Sequence, residues 1–194
     1  MITCNEKWVY YNNTARTGEW SEVKEALSSV SKRTLTNKKV MLCIWWNRKG
    51  IIYKRYLKLG QTVDFDLYCD ILRSVQDELL KTSRRLVTIK VVLFNQDNAR
   101  PHVSKQAKNL LGELGWKHMI HPPYSPDIAL SDFYLFSALQ LYLKGAIFNL
   151  PKVIILEVGD FFSSCSDHFW IINIENLPKR WSNIIELNGK YYPY

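Results

Sequence analysis

The sequence lacks the apolar segments that membrane insertion and secretion require. Its longest uninterrupted apolar run, residues 40–46, is far shorter than the roughly 20 residues of a membrane-spanning helix. The first residues also lack the basic stretch and apolar core of a secretory signal. We therefore expect an intracellular protein without a membrane partner.

Closely spaced cysteine pairs are also missing. The four cysteines lie far apart, and none forms a CxxC pair: Cys4, Cys43, Cys69 and Cys165. A zinc site would need an unusual arrangement of these thiols, so we expect reduced, buried or incidental cysteines. The sequence contains no internal repeat, linker or low-complexity tract, and we expect residues 1–194 to form one domain.

Basic residues exceed acidic ones. Hydrophobic residues make up 47% of the chain and charged residues 23%, which is typical of a folded globular protein. The 26 Lys and Arg residues against 18 Asp and Glu residues give a net charge of +8. This excess favours a polyanionic partner, because neutralised phosphates release their condensed counterions. Charge alone does not identify nucleic acid as that partner.

Hydrophobic periodicity predicts strands that alternate with helices. Strands are predicted at residues 7–13, 40–46, 51–57, 87–94 and 116–120, with a turn at 47–50 that makes a hairpin. Helices are predicted at residues 64–80, at 104–114 and from Ser131, as N-cap, to about Lys144. Residues 14–37 are polar and are predicted to lie outside the core. This order predicts a single mixed-sheet α/β domain.

Two polar segments have compositions that suit chemistry better than packing. Residues 95–102 directly follow the predicted central strand, where open α/β sheets place their sites. Residues 121–127 contain three prolines and form a predicted loop, which is followed by Asp132. Taken alone, Asp97 is also explained as a turn former and Asp132 as an acid that complements a helix dipole.

Together these segments resemble the catalytic core of mariner transposases, within the Tc1/mariner group. The resemblance rests on QDNARPH at 96–102 and HPPYSPDIALSDFYLF at 121–136. That family separates its second and third catalytic acids by thirty-four residues, as residues 98–131 separate Asp97 from Asp132. The similarity continues collinearly through EKW at 6–8, KKV at 38–40, IWW at 44–46, GIIY at 50–53, LPKRW at 177–181 and NGKY at 188–191.

The resemblance implies an RNase H-like fold of the DDE superfamily that cuts and rejoins DNA in the nucleus. It implies two Mg²⁺ or Mn²⁺ ions, which clamp the attacking and leaving oxygens of a phosphoryl displacement. Asp97, at the end of the central strand, and Asp132, on the following helix, are the implied catalytic and metal-binding acids. The implied partners are DNA and a second copy of the chain, and no small-molecule substrate is expected.

One acid of the family pattern is replaced. Asn5 stands immediately before Glu-Lys-Trp, where the family has its first catalytic Asp. Its carbonyl oxygen can ligate a metal, but it adds no negative charge, and two carboxylates remain against four units of metal charge. Glu6 should point away from the site of Asn5, because successive strand side chains face opposite sides. We therefore predict weak metal binding and severely reduced or absent strand cleavage.

Two further departures concern DNA recognition and subunit pairing. Nothing in the sequence corresponds to the family's N-terminal helix-turn-helix DNA-binding region, so we expect no terminal-repeat recognition by this polypeptide. Residues 14–36 match the family's subunit-clamping loop poorly.

Several other residues have ordinary structural interpretations. The histidines are predicted to be neutral and exposed or hydrogen-bonded rather than metal ligands: His102, His118 and His121. The first acids of the 64–80 helix are predicted to cap it or face solvent: Asp64, Asp66 and Asp70. Most tryptophans are predicted in the core rather than as base-stacking platforms. The basic pairs at 38–39, 54–55 and 84–85 are either phosphate contacts or ordinary surface.

Three interpretations of function remain. The chain is a metal-dependent transposase catalytic domain impaired by Asn5, a catalytically dead domesticated module that binds nucleic acid or protein, or a product without a selected role. Metal-dependent nicking separates the first from the others.

Overall fold

The computed structural model describes residues 1–14, 38–89 and 92–190, and the side chains of 83–91 are outside that description. Five strands form one sheet: β1 (Ile2–Tyr10), β2 (Lys39–Asn47), β3 (Gly50–Tyr56), β4 (Val92–Asn95) and β5 (Trp116–Met119). Their order is β3-β2-β1-β4-β5. The sheet is mixed, because β2 runs antiparallel to its neighbours β1 and β3, while β1, β4 and β5 are parallel. The predicted mixed-sheet α/β architecture is confirmed.

The predicted hairpin of β2 and β3 is present, and its turn requires a glycine. Gly50 has a φ of 112°, a region that side chains with a Cβ rarely adopt. Strand β1 begins at Ile2 rather than at residue 7. Ile2 and Thr3 pair with β4 while the rest of the strand pairs with β2. Pairing with two neighbours, which sequence patterns do not reveal, extends the strand.

In the part of the chain that the structure describes, five α-helices accompany the sheet: α1 (Phe65–Ile89), α2 (Lys105–Glu113), α3 (Ser137–Tyr142), α4 (Pro151–Ser164) and α5 (Asp167–Glu186). The strand predicted at 87–94 is wrong in its first half, because residues 87–89 continue α1 and β4 begins at Val92. The β-branched composition of 87–89 does not make these residues a strand, because they continue helix α1 and the described pairing of β4 with β5 begins at Val92. Helices α4 and α5 were not predicted.

Two predicted helix boundaries are confirmed by their capping contacts. Asp64 Oδ1 accepts a hydrogen bond from the Leu67 backbone N–H at 2.8 Å, as an N-cap does. Ser104 accepts one from Ala107 N–H at the start of α2. Gly115, with a φ of 69°, follows the end of that helix.

The segment around Asp132 differs from its prediction. A 3₁₀ turn, Pro126–Ile128, is followed by a π-helical segment, Ser131–Phe136, which leads into α3. Ser131 is not an N-cap: it is buried, and its Oγ accepts a hydrogen bond from Trp46 Nε1 at 3.1 Å. The hydroxyl therefore anchors this segment to the sheet instead of satisfying a helix end.

Hydrophobic cores cover both faces of the sheet. One contains the buried face of α1 and residues of α2, and the other contains residues of α3, α4 and α5. Trp45 and Trp46, on successive positions of β2, are fully buried in opposite cores, as the strand period dictates. The prediction of core tryptophans is confirmed for Trp45, Trp46, Trp116 and Trp170.

All four cysteines are free thiols, and Cys4, Cys43 and Cys69 are buried. Within the described part of the chain, no helix combines the length and apolar character needed to cross a membrane. The predicted excursion at 14–37 lies almost wholly outside the described residues.

Candidate active site

The predicted site residues come from three elements that meet beside strand β1. Asn5 lies on β1, Asp97 follows the neighbouring strand β4 by two residues, and Asp132 lies in the π-helical segment. β1 and β4 are parallel neighbours, and the π-helical segment packs against β1. The topology thus brings together residues that are distant in sequence.

Asn5 uses both ends of its side-chain amide. Its Nδ2 donates to Asp132 Oδ2 at 2.6 Å, and its Oδ1 accepts the backbone N–H of Glu6 at 2.7 Å. Asn5 is also buried. The oxygen that could ligate a metal is therefore engaged by the backbone, and a hydrogen-bond donor faces the carboxylate.

Asp97 and Asp132 line one cleft of ≈ 360 Å³, together with Asn98, Ala99 and the proline-rich loop at residues 121–126. Burial raises the pKa of Asp132, and the Asp97 carboxylate raises it further. Lys7 and the Asn5 amide offset part of this effect, and the resulting pKa is about 6. Two carboxylates thus face each other closely enough for the charge on one to oppose the charge on the other.

Asp97 itself is held by donors. Its Oδ1 accepts hydrogen bonds from the Ala99 backbone N–H at 2.9 Å and from His102 Nδ1 at 2.6 Å. Burial opposes the charge on Asp97, but the His102 contact and the Ala99 amide outweigh it and lower the pKa. Asp97 remains ionised under conditions in which Asp132 begins to take a proton.

His102 differs from its prediction as a neutral histidine. The ring is 1% exposed, and its Nε2 lies 3.2 Å from Glu6 Oε1 while its Nδ1 contacts Asp97. Burial lowers the pKa of His102, but the charge of Glu6 and the hydrogen bonds to both carboxylates raise it to about 9. A buried imidazolium therefore joins Glu6 to Asp97.

Glu6 behaves as strand alternation predicts. It contacts His102, whereas its neighbour Asn5 contacts Asp132. The charge of Glu6 nevertheless contributes to the raised pKa of Asp132, and the prediction that Glu6 does not replace the missing acid stays a prediction.

A second layer of buried polar groups surrounds His102. The Tyr68 ring packs against the imidazole at a tilt of 34°, with 4.3 Å between centroids, and its hydroxyl donates to Gln96 Oε1. Gln96 Nε2 in turn donates to the His102 carbonyl oxygen at 3.1 Å. Sequence reasoning missed Tyr68, and it did not assign Gln96 or His102 a role. The placement of Gln96 and His102 in the same motif as Asp97 was the available signal.

Burial lowers the pKa of both His118 and His121, which favours the neutral form predicted for these two histidines. His121 lines the cleft, and its carbonyl oxygen accepts a hydrogen bond from Asn98 Nδ2 at 2.7 Å.

The basic pairs are only partly described. Lys39 lies over the Trp8 ring at 4.1 Å and Lys54 over the Phe162 ring at 5.4 Å. The side chains of Arg84 and Arg85 lie outside the described residues.

The donor set fits one hard divalent cation better than two. Asp97 and Asp132 offer oxygen ligands on one cleft, and a cation there would relieve the repulsion between them. The position of the family's first catalytic acid does not suit a metal ion, since Asn5 presents an N–H there. In residues 1–14, 38–89 and 92–190, no group of three or more His, Cys, Asp or Glu side chains is arranged to hold a metal ion.

Comparisons with known proteins agree with the fold and the motifs. A family model described as "Transposase (partial DDE domain)" matches residues 10–89. The Mariner Mos1 transposase of Drosophila mauritiana is 29% identical over 199 residues, which cover 98% of this chain and 56% of that protein. The solved catalytic domain of Mos1 mariner transposase superposes with a TM-score of 0.83 at 28% identity and covers 99% of this chain and 83% of that one. The chain carries a mariner-family transposase catalytic domain.

Two more relatives extend this assignment. The human protein named histone-lysine N-methyltransferase SETMAR is 33% identical over 192 residues, which cover 99% of this chain. The Mos1 mariner paired end complex with Mn gives a TM-score of 0.88 at 30% identity and covers 56% of that chain. The mariner-family domain spans 28% and 56% of the lengths of the two curated relatives. The RNase H-like fold is confirmed, and the roles of Asn5, Asp97 and Asp132 stay predictions.

Proposed function

We propose that this mariner-family domain binds DNA and acts on phosphodiesters at the cleft between Asp97 and Asp132, with strand cleavage strongly impaired by Asn5. The single observation that carries the proposal is the Asn5 amide. This amide stands where the family has its first catalytic acid, and it donates to Asp132 at 2.6 Å. A carboxylate at the same position would repel Asp132 and attract a metal ion. The Mos1 structures described as complexes with Mn and as a paired-end complex with a transposon end support the choice of metal and of DNA.

In this proposal Asp97 and Asp132 hold one Mg²⁺ or Mn²⁺ weakly. The bound cation would supply charge neutralisation at the phosphate and activation of the attacking oxygen. Asp97 is poised for this role because it stays ionised. Below about pH 6 Asp132 must lose a proton to take part, so the affinity falls in acid. At every pH its Oδ2 also accepts the Asn5 hydrogen bond, which competes with a cation for that oxygen.

A plasmid-nicking assay tests the impairment. The wild-type chain, Asn5→Asp and the double variant Asn5→Asp with Asp97→Ala are incubated with supercoiled DNA and either Mg²⁺ or Mn²⁺. We expect nicking by Asn5→Asp to exceed that of the wild type at least about tenfold, since even outer-shell partners of a metal are worth that much. The double variant should return to background. Wild-type nicking that matches Asn5→Asp and is abolished by Asp97→Ala would overturn the proposal of impairment.

A second candidate is a catalytically dead module that binds nucleic acid or protein. The net charge of +8 favours it, because a basic surface binds polyanions whether or not the site is active. A salt titration of DNA binding is the test. Affinity that falls linearly with the logarithm of salt concentration, together with no nicking by Asn5→Asp, would favour this candidate.

Nuclear location and a homodimer are further proposals from the family resemblance. Light scattering coupled to size-exclusion chromatography, with and without DNA, would measure the number of copies in the complex.

A further inference from the structure

We propose that Glu6 and His102 are positioning residues that fix the Asp97 carboxylate, so that Oδ1 is held inside the fold and Oδ2 is left to bind a cation in the cleft. The metal part of this inference rests on the proposed function. The positioning part rests on hydrogen bonds within the metal-free protein.

The first step is the use of the imidazole ring. Nδ1 contacts Asp97 at 2.6 Å and Nε2 contacts Glu6 at 3.2 Å. Ionised carboxylates only accept hydrogen bonds, so both ring nitrogens must donate. Glu6 thereby favours the form of the ring that also donates to Asp97.

The second step is the rigidity of the ring. His102 is 1% exposed, and the Tyr68 ring packs against it. Its backbone is held as well, because its N–H donates to Ala99 O at 2.9 Å and its carbonyl oxygen accepts from Gln96. These contacts hold the ring in one orientation, and the ring in turn fixes where Asp97 Oδ1 lies.

The third step is that the two Asp97 carboxylate oxygens have different partners. Oδ1 accepts from both His102 and the Ala99 amide, and the side chain as a whole is 36% exposed along the cleft. A carboxylate held by two donors on one oxygen offers the other as a single ligand with a fixed direction. Mutation of such outer-shell partners of metal ligands commonly lowers metal affinity by about 10- to 100-fold.

Glu6 then has a role of its own. Its side chain is 13% exposed and is engaged by His102, so it supports one acid of the site and does not supply another.

Two pairs of substitutions test the inference in an Asn5→Asp background, with Mn²⁺ affinity measured by calorimetry and by electron paramagnetic resonance of free Mn²⁺. His102→Asn retains a donor near the place of Nδ1, whereas His102→Gln retains one near Nε2. We expect His102→Asn to stay within about threefold of its parent and His102→Gln to lose about tenfold or more. Equal losses in the two variants would overturn the assignment of His102.

The second pair separates contact from charge at Glu6. Glu6→Gln keeps an oxygen within reach of Nε2 and removes the charge, whereas Glu6→Asp keeps the charge and shortens the side chain. Positioning predicts the larger loss of Mn²⁺ affinity for Glu6→Asp. The larger loss for Glu6→Gln would mean that Glu6 acts only through its charge and would overturn its assignment. Glu157→Gln, on helix α4, is the matched control and should change nothing.

A metal-free measurement distinguishes this inference from the proposed function. In ¹⁵N-histidine-labelled protein we expect two slowly exchanging ring N–H protons at His102. The Nδ1 proton should lose protection in Asp97→Ala, and the Nε2 proton should lose it in Glu6→Asp. If the protection is seen but Asn5→Asp binds no Mn²⁺, the metal-based function fails while the positioning stands. If neither ring proton is protected, the positioning inference itself is wrong.

Discussion

Substitution of Asn5 by Asp should trade stability for metal binding. The change replaces the donor that contacts Asp132 at 2.6 Å with a third carboxylate beside Asp132 and Asp97. Two unit charges about 4 Å apart repel by about 4 kcal/mol at an effective dielectric constant of about 20. Protonation of Asp132, whose pKa is about 6, relieves this repulsion at a cost of about 3 kcal/mol at pH 8. We therefore expect Asn5→Asp to lower the free energy of unfolding by about 3 kcal/mol at pH 8 in the presence of a chelator.

The pH dependence of this loss follows from protonation. Placing a proton on a carboxyl costs about 1.4 kcal/mol for each pH unit above its pKa. For Asp132, whose pKa is about 6, this cost is about 3 kcal/mol at pH 8 and vanishes at pH 5. The destabilisation by Asn5→Asp should therefore shrink as the pH falls from 8 to 5.

Divalent cations should reverse the loss at pH 8. A cation at about 100 times its dissociation constant stabilises the folded state by about 2.7 kcal/mol. For a chain of this length, each kcal/mol shifts the melting temperature by about 2–4 °C. Differential scanning calorimetry should thus show a drop of about 6–12 °C for Asn5→Asp in chelator and a recovery of about 5–11 °C with Mn²⁺.

The wild-type chain should show a much smaller response to Mn²⁺. The matched control is Asn149→Asp, which adds the same charge on the surface. A variant Asn5→Asp that is as stable as the wild type in chelator at pH 8 would refute the contact between the Asn5 amide and Asp132. Equal stabilisation of the two proteins by Mn²⁺ would refute the proposal that Asn5 weakens metal binding.

Three further predictions follow from single contacts. The His102 pKa is raised to about 9 in the folded protein, so its contribution is complete below the ordinary value of about 6.5 and is lost as the pH rises to about 9; urea titrations over this window should lose about 3 kcal/mol. Ser131→Ala leaves the buried Trp46 Nε1 without its acceptor and should cost about 1–3 kcal/mol in the same assay. Ser104→Ala removes the N-cap contact to Ala107 and should cost about 1 kcal/mol.

Each of these predictions has a control in the same chain. His102→Gln should flatten the pH dependence between about 6.5 and 9, and an unchanged slope would show that another group titrates there. Ser163→Ala and Ser182→Ala remove exposed hydroxyls that bond their own helices, and both should stay within about 0.5 kcal/mol of the wild type. A loss for Ser131→Ala no larger than theirs would contradict the anchoring role of that hydroxyl.

Sequence patterns were most reliable where one local cause acts alone. The hairpin of β2 and β3 follows from two apolar runs and a turn with Gly50, and α2 follows from a serine cap and a glycine stop. The patterns misassigned residues 87–89 because their side chains favour a strand while the chain continues a helix. The patterns also misassigned Ser131, because a serine at the start of a helix is usually an N-cap. In the fold its hydroxyl instead accepts a hydrogen bond from the Trp46 indole.

The sequence by itself determined which functional groups are available at the candidate site. The motifs around Asp97 and Asp132 and the uncharged residue at position 5 are set by residue identity and order, and they require no coordinates. Only the tertiary structure decided how those groups are used. It turned the Asn5 amide toward Asp132 and placed His102 between Glu6 and Asp97, residues that are 96 and 5 positions away from it in the chain. Hydrogen bonds and buried charges depend on distances of a few ångströms across the fold, and such distances arise only when strands and helices pack.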